Sequence, residues 1–349
     1  MQCPYCDFSI TTEPVKQNDQ KLAHAIAQDL EDSAALIDGR EFCSVYFGGG
    51  TPSLASAEAI AIILDAVKQN PLSEEMEITF EMNPRDVSAN KLSDLSALGI
   101  NRYSLGVQSY HDPELKGLGR NHDKASGLEA TNLLKGMNST IDLIYGTEYQ
   151  TATSFQETLE QFIDSQTNHL SLYQLTIEPN TIFYKKELKL PNEDQIEGME
   201  QLARQMLESN GYQQYEVSSW SRPGFESKHN LNYWQFGDFL GLGPGAHSKI
   251  TIGQEITRFR KIKPLNGYIA KQTIADHTII QGEELDMDLA MNLLRIKDGI
   301  LPDHLGVELP KSFLKKYQLG VEEGLLVQDK IGATARGYQY LNETIKLFF

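Results

Sequence analysis

Cys3-Pro4-Tyr5-Cys6-Asp7-Phe8 opens the chain. A C-x-x-C turn lets both sulfurs face one ion, so the pair suits a soft metal or an iron–sulfur centre. The same spacing also serves a zinc knuckle, a redox pair or two small buried hydrophobes. Gly48-Gly49-Gly50-Thr51-Pro52-Ser53 offers bare backbone that a ligand can touch, and equally makes a strand-to-helix turn in which Pro52 and Ser53 start the next helix. No Gly-Lys-Ser/Thr follows, so it is not a P-loop. Glu81 ends an apolar run, where a carboxylate is costly unless it is solvated or paired with a ligand's cationic or hydroxyl groups; Gln108 is placed in the same way. Arg120, within Leu118-Gly119-Arg120-Asn121-His122, reads either as a carboxylate clamp or as a surface arginine. Asp142 is an acid between Ile141 and Leu143 inside an apolar strand. His229-Asn230-Leu231-Asn232-Tyr233-Trp234 sets an imidazole beside two large aromatics. A flat apolar ligand with a metal centre, such as heme, suits that set with His229 as axial ligand; a surface histidine next to core aromatics is the plainer account.

The elements that must position these residues alternate. Helical spacing of Leu22, Ile26, Leu30 and Leu36 predicts a helix over Val15–Ile37. Ser44–Phe47 reads as a buried strand stopped by the three glycines, and a helix over Ala57–Lys68 puts Ile60, Ile63, Leu64 and Val67 on one face. Strands over Glu77–Met82, Tyr103–Val107, Thr140–Ile144 and Leu170–Leu175 then alternate with helices over Ser88–Leu98, Lys124–Lys135 and Ser154–Ser165. Such a rhythm argues for βα units on a parallel sheet, open or closed into part of a barrel. Ligands of such sheets sit at the carboxyl ends of the strands, which is where Gly48–Pro52, Glu81–Pro84, Gln108, Asp142 and Glu178–Asn180 fall. Past Pro191 the rhythm changes to an amphipathic helix through Ile196, Met199, Leu202, Ala203 and Met206, and a strand over Tyr212–Ser218. The His229 segment and Gly241–Gly245 follow. From about Gly282 a small appended domain is expected, with helices Leu285–Lys297 and Lys311–Tyr317, a hairpin through Leu325–Ile331 and a terminal helix.

The 349 residues suffice for a large core and two domains, and 40% hydrophobic with 23% charged residues is ordinary globular composition. With 48 acidic against 31 basic residues the formal charge is −17, which argues against a nucleic-acid partner. No apolar run approaches the roughly eighteen residues of a membrane span, and the first residues have no signal-peptide core. Three cysteines make no disulfide framework, so a cytoplasmic location is expected. Cys43, before Val45–Phe47, reads as core packing.

Together, Cys3–Phe8, Gly48–Ser53, Glu81–Pro84, Gly106–Ser109, Leu118–Arg120, Asp142–Gly146, Tyr173–Asn180, His229–Trp234 and Gly241–Ser248 resemble the radical SAM proteins of the coproporphyrinogen-oxidase-like group. The resemblance spans nearly the whole chain. It implies an α/β fold: a partial (β/α)6 radical SAM barrel over residues 1–190, a middle region over 191–281 with the His-Asn-x-x-Tyr-Trp motif, and a small C-terminal α+β, winged-helix-like domain over 282–349. It also implies a [4Fe–4S] cluster on a CxxxCxxC loop, with S-adenosylmethionine on the cluster's free iron. By motif, Cys3 and Cys6 would be cluster ligands, and Tyr5 would lie against the cofactor between them. Gly49, Gly50 and Thr51 would meet the methionine end of S-adenosylmethionine, and Glu81, Gln108, Arg120 and Asp142 would complete that pocket. His229, Asn230, Tyr233 and Trp234 carry the motif linked to heme binding.

Two features separate branches of the group. Members that decarboxylate coproporphyrinogen carry a further cysteine at the place of Phe8, and they lack the motif at His229–Trp234. Both features favour the heme-chaperone branch, with heme-receiving apoproteins as partners; an electron donor and a homodimer are carried as further expectations. The alternative is an oxygen-independent coproporphyrinogen III dehydrogenase. There, a 5′-deoxyadenosyl radical takes a hydrogen from a propionate side chain, which then loses carbon dioxide. The group's first cluster cysteine would stand four places before Cys3, ahead of Met1, as would the first barrel strand and its tyrosine. Either translation starts upstream or the chain is a natural truncation; as written, weak or absent cluster assembly is expected, because two sulfurs under-ligate a cubane. Thr147-Glu148 stands where the group usually has Leu-Pro.

Overall fold

The computed structural model describes residues 3–6, 15–37, 39–270 and 274–349. Asp7 and Phe8 lie outside the described residues. The chain divides into two compact units.

The first unit comprises residues 1–20, 42–214 and 218–226. Its sheet begins with β1 (Phe42–Phe47), β2 (Leu72–Met82), β3 (Arg102–Gln108), β4 (Ser139–Tyr145) and β5 (His169–Gln174). These lie side by side in chain order and all pair in parallel. Sequential parallel strands need crossover helices, here Ala57–Val67, Ala89–Leu98, Lys124–Leu133 and Ala152–Ser165. After them β6 (Gln213–Glu216) and β7 (Ser219–Ser221) extend the sheet to the order β1-β2-β3-β4-β5-β7-β6, with β7 antiparallel to β5. The core of this curled half-barrel consists of strand residues such as Phe80, Leu105, Val107, Ile141 and Leu170, packed against Leu64, Leu95, Phe155 and Phe162 of the helices.

Helix boundaries follow from caps. Ser56, Ser88 and Asp123 accept from Ala59, Lys91 and Ser126 backbone N–H, and Thr151 with Ser154 forms a reciprocal capping box, each supplying partners for amides the helix cannot satisfy itself. Ser88 is thus a cap rather than the first helical residue. β2 starts five residues earlier than Glu77 because Leu72 pairs with Phe42 across a register shift, a backbone match that its polar Ser-Glu-Glu run conceals. Cys43 points to solvent on the edge strand β1, contrary to the expectation of core packing. A short helix Asp112–Gly117, with Pro113 in its first turn, was not expected from periodicity.

The second unit comprises residues 21–41, 215–217 and 227–349. The helix expected over Val15–Ile37 stops at Asp32 and resumes at Ala34–Ile37. The Ser33 hydroxyl donates to the Asp29 carbonyl at 2.7 Å, the local competition that bends and ends helices. A three-stranded antiparallel sheet, β8 (His247–Ile252), β9 (Glu255–Lys261) and β10 (Ile274–Ile280), has no counterpart among the expected elements. Below it Leu289, Leu293, Phe313 and Phe348 are fully buried. The expected hairpin at Leu325–Ile331 reduces to two isolated bridges, Ile300 with Ile331 and Leu326 with Ala333. Gly299 and Gly332 bring two backbones together there: a Cβ on Gly332 would sit 2.8 Å from the Gly299 Cα. The terminal helix is two short ones, Ala335–Gln339 and Leu341–Ile345.

Candidate functional site

The carboxyl ends of β1 to β4 collect polar groups that the sheet's own packing does not need. After β1, Gly48 is required by close approach, since a Cβ there would meet the Tyr46 ring at 2.6 Å and Glu81 Oε1 at 2.9 Å. Gly49 and Gly50 have φ of 76° and 60°, and the space where their side chains would stand is open. The Gly49 amide donates to Glu81 Oε2 at 3.2 Å, and the Tyr46 hydroxyl donates to Glu81 Oε1 at 2.8 Å. Despite both bonds, burial raises the pKa of Glu81.

Two strands away, Asp142 of β4 accepts from the Ser104 hydroxyl of β3 at 2.7 Å. Burial, helped by the negative charge of Glu81, lifts its carboxyl to about 7. Gln108 ends β3 in a left-handed conformation, φ 70°, just past a register shift. Its side-chain nitrogen lies beside Gly106, where a Cβ would come within 2.9 Å of it and 3.6 Å of Arg120 Nη2.

Arg120 joins this mouth to the cysteine turn. Nη2 donates to the Gly106 carbonyl at 2.7 Å, while Nη1 lies 3.5 Å from both Cys3 Sγ and the Tyr5 hydroxyl. Its buried Nε has no partner among the described residues. The turn closes with the Cys6 amide donating to the Cys3 carbonyl at 3.1 Å. Pro4 is wedged on Gly119, where a Cβ would clash with its Cδ at 2.6 Å, and its carbonyl accepts from the Phe183 amide at 2.9 Å. Tyr5 packs on Phe183 with ring centroids 6.2 Å apart, and burial raises the pKa of its phenol. Thr51 lines one cleft with Cys3, Asn83, Gly119, Arg120 and Asn121.

The structure thus brings Cys3, Tyr5, Thr51, Gln108, Arg120, Glu81, Gly49 and Asp142 into one connected mouth, with Gly50 and Cys6 adjoining in sequence. Sequence reasoning passed over Tyr46, Ser104, Pro4 and Phe183. A signal for Ser104 existed: on β3, Arg102, Ser104, Gly106 and Gln108 alternate with the buried Tyr103, Leu105 and Val107, a polar column at strand period. Nothing local marks Phe183, which reaches the turn through chain topology alone.

The mouth can hold a cationic amino acid: two buried carboxylates lack a full counter-charge, a guanidinium nitrogen lacks an acceptor, and the Gly49–Gly50 backbone is bare. The thiols of Cys3 and Cys6 fit two corners of an iron–sulfur cluster. Among the described residues no third His, Cys, Asp or Glu is grouped with them as a metal ligand.

In the second unit, His229, Asn230, Tyr233 and Trp234 share the helix Lys228–Trp234, started by Ser227, whose hydroxyl accepts from the Asn230 amide at 3.2 Å. The i, i+4 spacing puts His229 edge-on to Tyr233, with centroids 4.9 Å apart at 78°, and Tyr233 in turn meets Phe239 at 4.4 Å. Burial lowers the His229 pKa to about 4, so the imidazole is neutral at pH 7. Trp234 lies under the Arg295 guanidinium, 4.6 Å from the ring centroid.

Residues 1–162 match the model of the Radical SAM superfamily. The chain is 37% identical to the heme chaperone HemW of Haemophilus influenzae, over 99% of this chain and 94% of that one. It is 34% identical to HemW of Escherichia coli over the same shares. In fold it is similar to the coproporphyrinogen III oxidase HemN of Escherichia coli, a radical SAM enzyme, with TM-score 0.78 and 23% identity over 100% of this chain and 87% of that one.

Proposed function

We propose, from the premise that this chain belongs to the HemW family of the radical SAM superfamily, that it binds heme and hands it to apoproteins in the cytoplasm. The observation that carries this reading is the His229 imidazole, neutral at pH 7, set edge-on to Tyr233 on one helix face, with Tyr233 packed in turn on Phe239. An axial ligand must be unprotonated, and a porphyrin face needs flat apolar neighbours. The three segments 1–190, 191–281 and 282–349 are then a cofactor barrel, a heme-binding middle region and an appended C-terminal domain. No helix among the described residues is long and apolar enough to cross a membrane.

Cofactor binding falls to the mouth of the parallel sheet. Cys3 and Cys6 would hold two corners of a [4Fe–4S] cluster, which in this superfamily supplies an electron to S-adenosylmethionine. Glu81, the Gly49–Thr51 backbone, Gln108, Arg120 and Asp142 would hold S-adenosylmethionine. Arg120, beside both Cys3 and Tyr5, bears a fixed positive charge against the sulfur turn. Phe183 and Pro4 shield that turn and fix its backbone.

Titrating the protein with heme and following the Soret band tests the reading. His229→Ala should weaken binding by at least about tenfold and change the axial-ligand spectrum. Unchanged affinity and spectrum would refute the axial role. Anaerobic formation of protoporphyrinogen by cluster-loaded protein would instead move the chain to the coproporphyrinogen III dehydrogenase reading.

A further inference from the structure

Phe183 does more than pack on Tyr5. It also lines a cleft of about 620 Å³, a volume in the range of small-molecule and cofactor sites. Segments that follow β3, β4 and β5 build this cleft, all of them in the first unit, and no residue of the Lys228–Trp234 helix takes part. Tyr149 is held in the lining at a cost. Its backbone is left-handed, φ 70°, which a tyrosine ordinarily avoids, and its ring rests against Gly117, where a Cβ would come within 3.0 Å of it. The ring is nevertheless 60% exposed, so neither the strain nor the glycine serves burial. Lys116 and Lys186 also line the cleft, and their ammonium groups make no hydrogen bond or ion pair among the described residues. Of the two acids in the lining, Glu148 accepts from the Lys189 amide at 3.2 Å; Glu187 has no such bond among the described residues.

We infer that this cleft is a second tetrapyrrole site, taking a flat conjugated diacid whose ring stacks on Tyr149 and whose carboxylates pair with Lys116 and Lys186. The inference takes its ligand class from the heme reading above and adds a station for the cargo in the cofactor unit, one that recognises ring and acid groups without a metal ligand. Aromatic side chains favour a conjugated ring beyond the area they bury, and a strained, exposed tyrosine is placed for contact with something other than its own core. Two ammonium groups without acids of their own are answered by carboxylates that the ligand brings. Because the Phe183 amide donates to the Pro4 carbonyl and its ring meets Tyr5, a ligand in the cleft touches the residue that fixes the sulfur turn. Filling the cleft and ordering the turn therefore share one residue.

Protoporphyrin IX is the probe, since it has no iron and cannot be held by an axial ligand; its dimethyl ester is the uncharged counterpart. Fluorescence titration of the full chain should show the diacid bound about tenfold or more tightly than the diester, the worth of one charge-assisted hydrogen bond. Lys116→Gln with Lys186→Gln should abolish that preference and leave the diester affinity unchanged. Tyr149→Ala should weaken both porphyrins about tenfold, while Tyr149→Phe, which keeps the ring, should weaken neither. Glu187→Gln removes an opposing charge and should tighten the diacid alone. A parent that binds neither porphyrin, or both equally, overturns the site, and so does porphyrin binding that none of these variants alters. The heme reading fails separately: it falls if heme gives no His229-dependent spectrum, whatever the cleft binds.

Discussion

The two ends of the parallel sheet treat buried charge in opposite ways. At the amino end, Glu77 of β2 meets Arg102 of β3 at 3.2 Å, and the same guanidinium donates to the Thr140 hydroxyl at 3.2 Å and to the Phe225 carbonyl at 3.1 Å. Both partners are buried and each is satisfied, so this end is built for the fold. At the carboxyl end, Glu81 and Asp142 have hydroxyl and amide donors but, among the described residues, no cation in hydrogen-bond contact, and burial pushes both pKa values up. Arg120, the nearby cation, is directed to a backbone carbonyl and the sulfur turn. Charge left incompletely answered costs stability, and it is retained where a ligand completes the set. The comparison separates acids answered by a cation from acids answered by neutral donors within a single strand: Glu77 and Glu81 are four residues apart on β2.

The sharpest way to break this contrast is Arg102→Met. Removing one member of a buried pair strands the other, and unfolding in urea should show a loss of about 3–5 kcal/mol. A loss under about 1 kcal/mol would mean the amino end is no better satisfied than the carboxyl end. Asp142→Asn should act with the opposite sign. The folded pKa of Asp142, about 7, lies above the ordinary 3.8 of the unfolded chain. Between those values the folded state holds the extra proton, so this group's contribution to stability falls as pH rises from about 4 to about 7 and stays low above it. The asparagine variant should therefore be more stable than the parent at pH 8 by up to about 4 kcal/mol and nearly equal to it at pH 4. Equal stability at both pH values would show that Asp142 is ionised at no cost.

Much of this was legible in the sequence because strand ends and motif positions coincide. The βα rhythm located the parallel strands to within a few residues, and Gly49, Glu81, Gln108 and Asp142, quoted from strand ends, lie at one mouth. What escaped was long-range or backbone-borne. β8 to β10 carry Lys249, Arg258, Arg260 and Lys261, whose partners Asp238, Asp288, Asp276 and Asp29 are scattered along the chain, so charge masked the strand pattern. The 229–234 helix is too short for a periodic signal, and the Ser227 cap alone announces it. Phe183 and Pro4 meet across the whole parallel sheet's length of chain, a contact no local pattern encodes.

A smaller change sharpens the contrast at one atom. Ser104 donates to Asp142 and favours the ionised carboxyl over the neutral one, which is why it works against burial in setting that pKa. Ser104→Ala should raise the Asp142 pKa further, and its cost should depend on pH. At pH 5 the folded carboxyl is protonated and needs the hydroxyl little, so the loss should be a few tenths of a kcal/mol; at pH 8 the bond is to a charged acceptor and the loss should approach about 1.5 kcal/mol. Urea unfolding at the two pH values measures the difference. If the cost is the same at both, the Ser104 bond is an ordinary packing contact, and the polar column of β3 does nothing to hold the charge at the mouth.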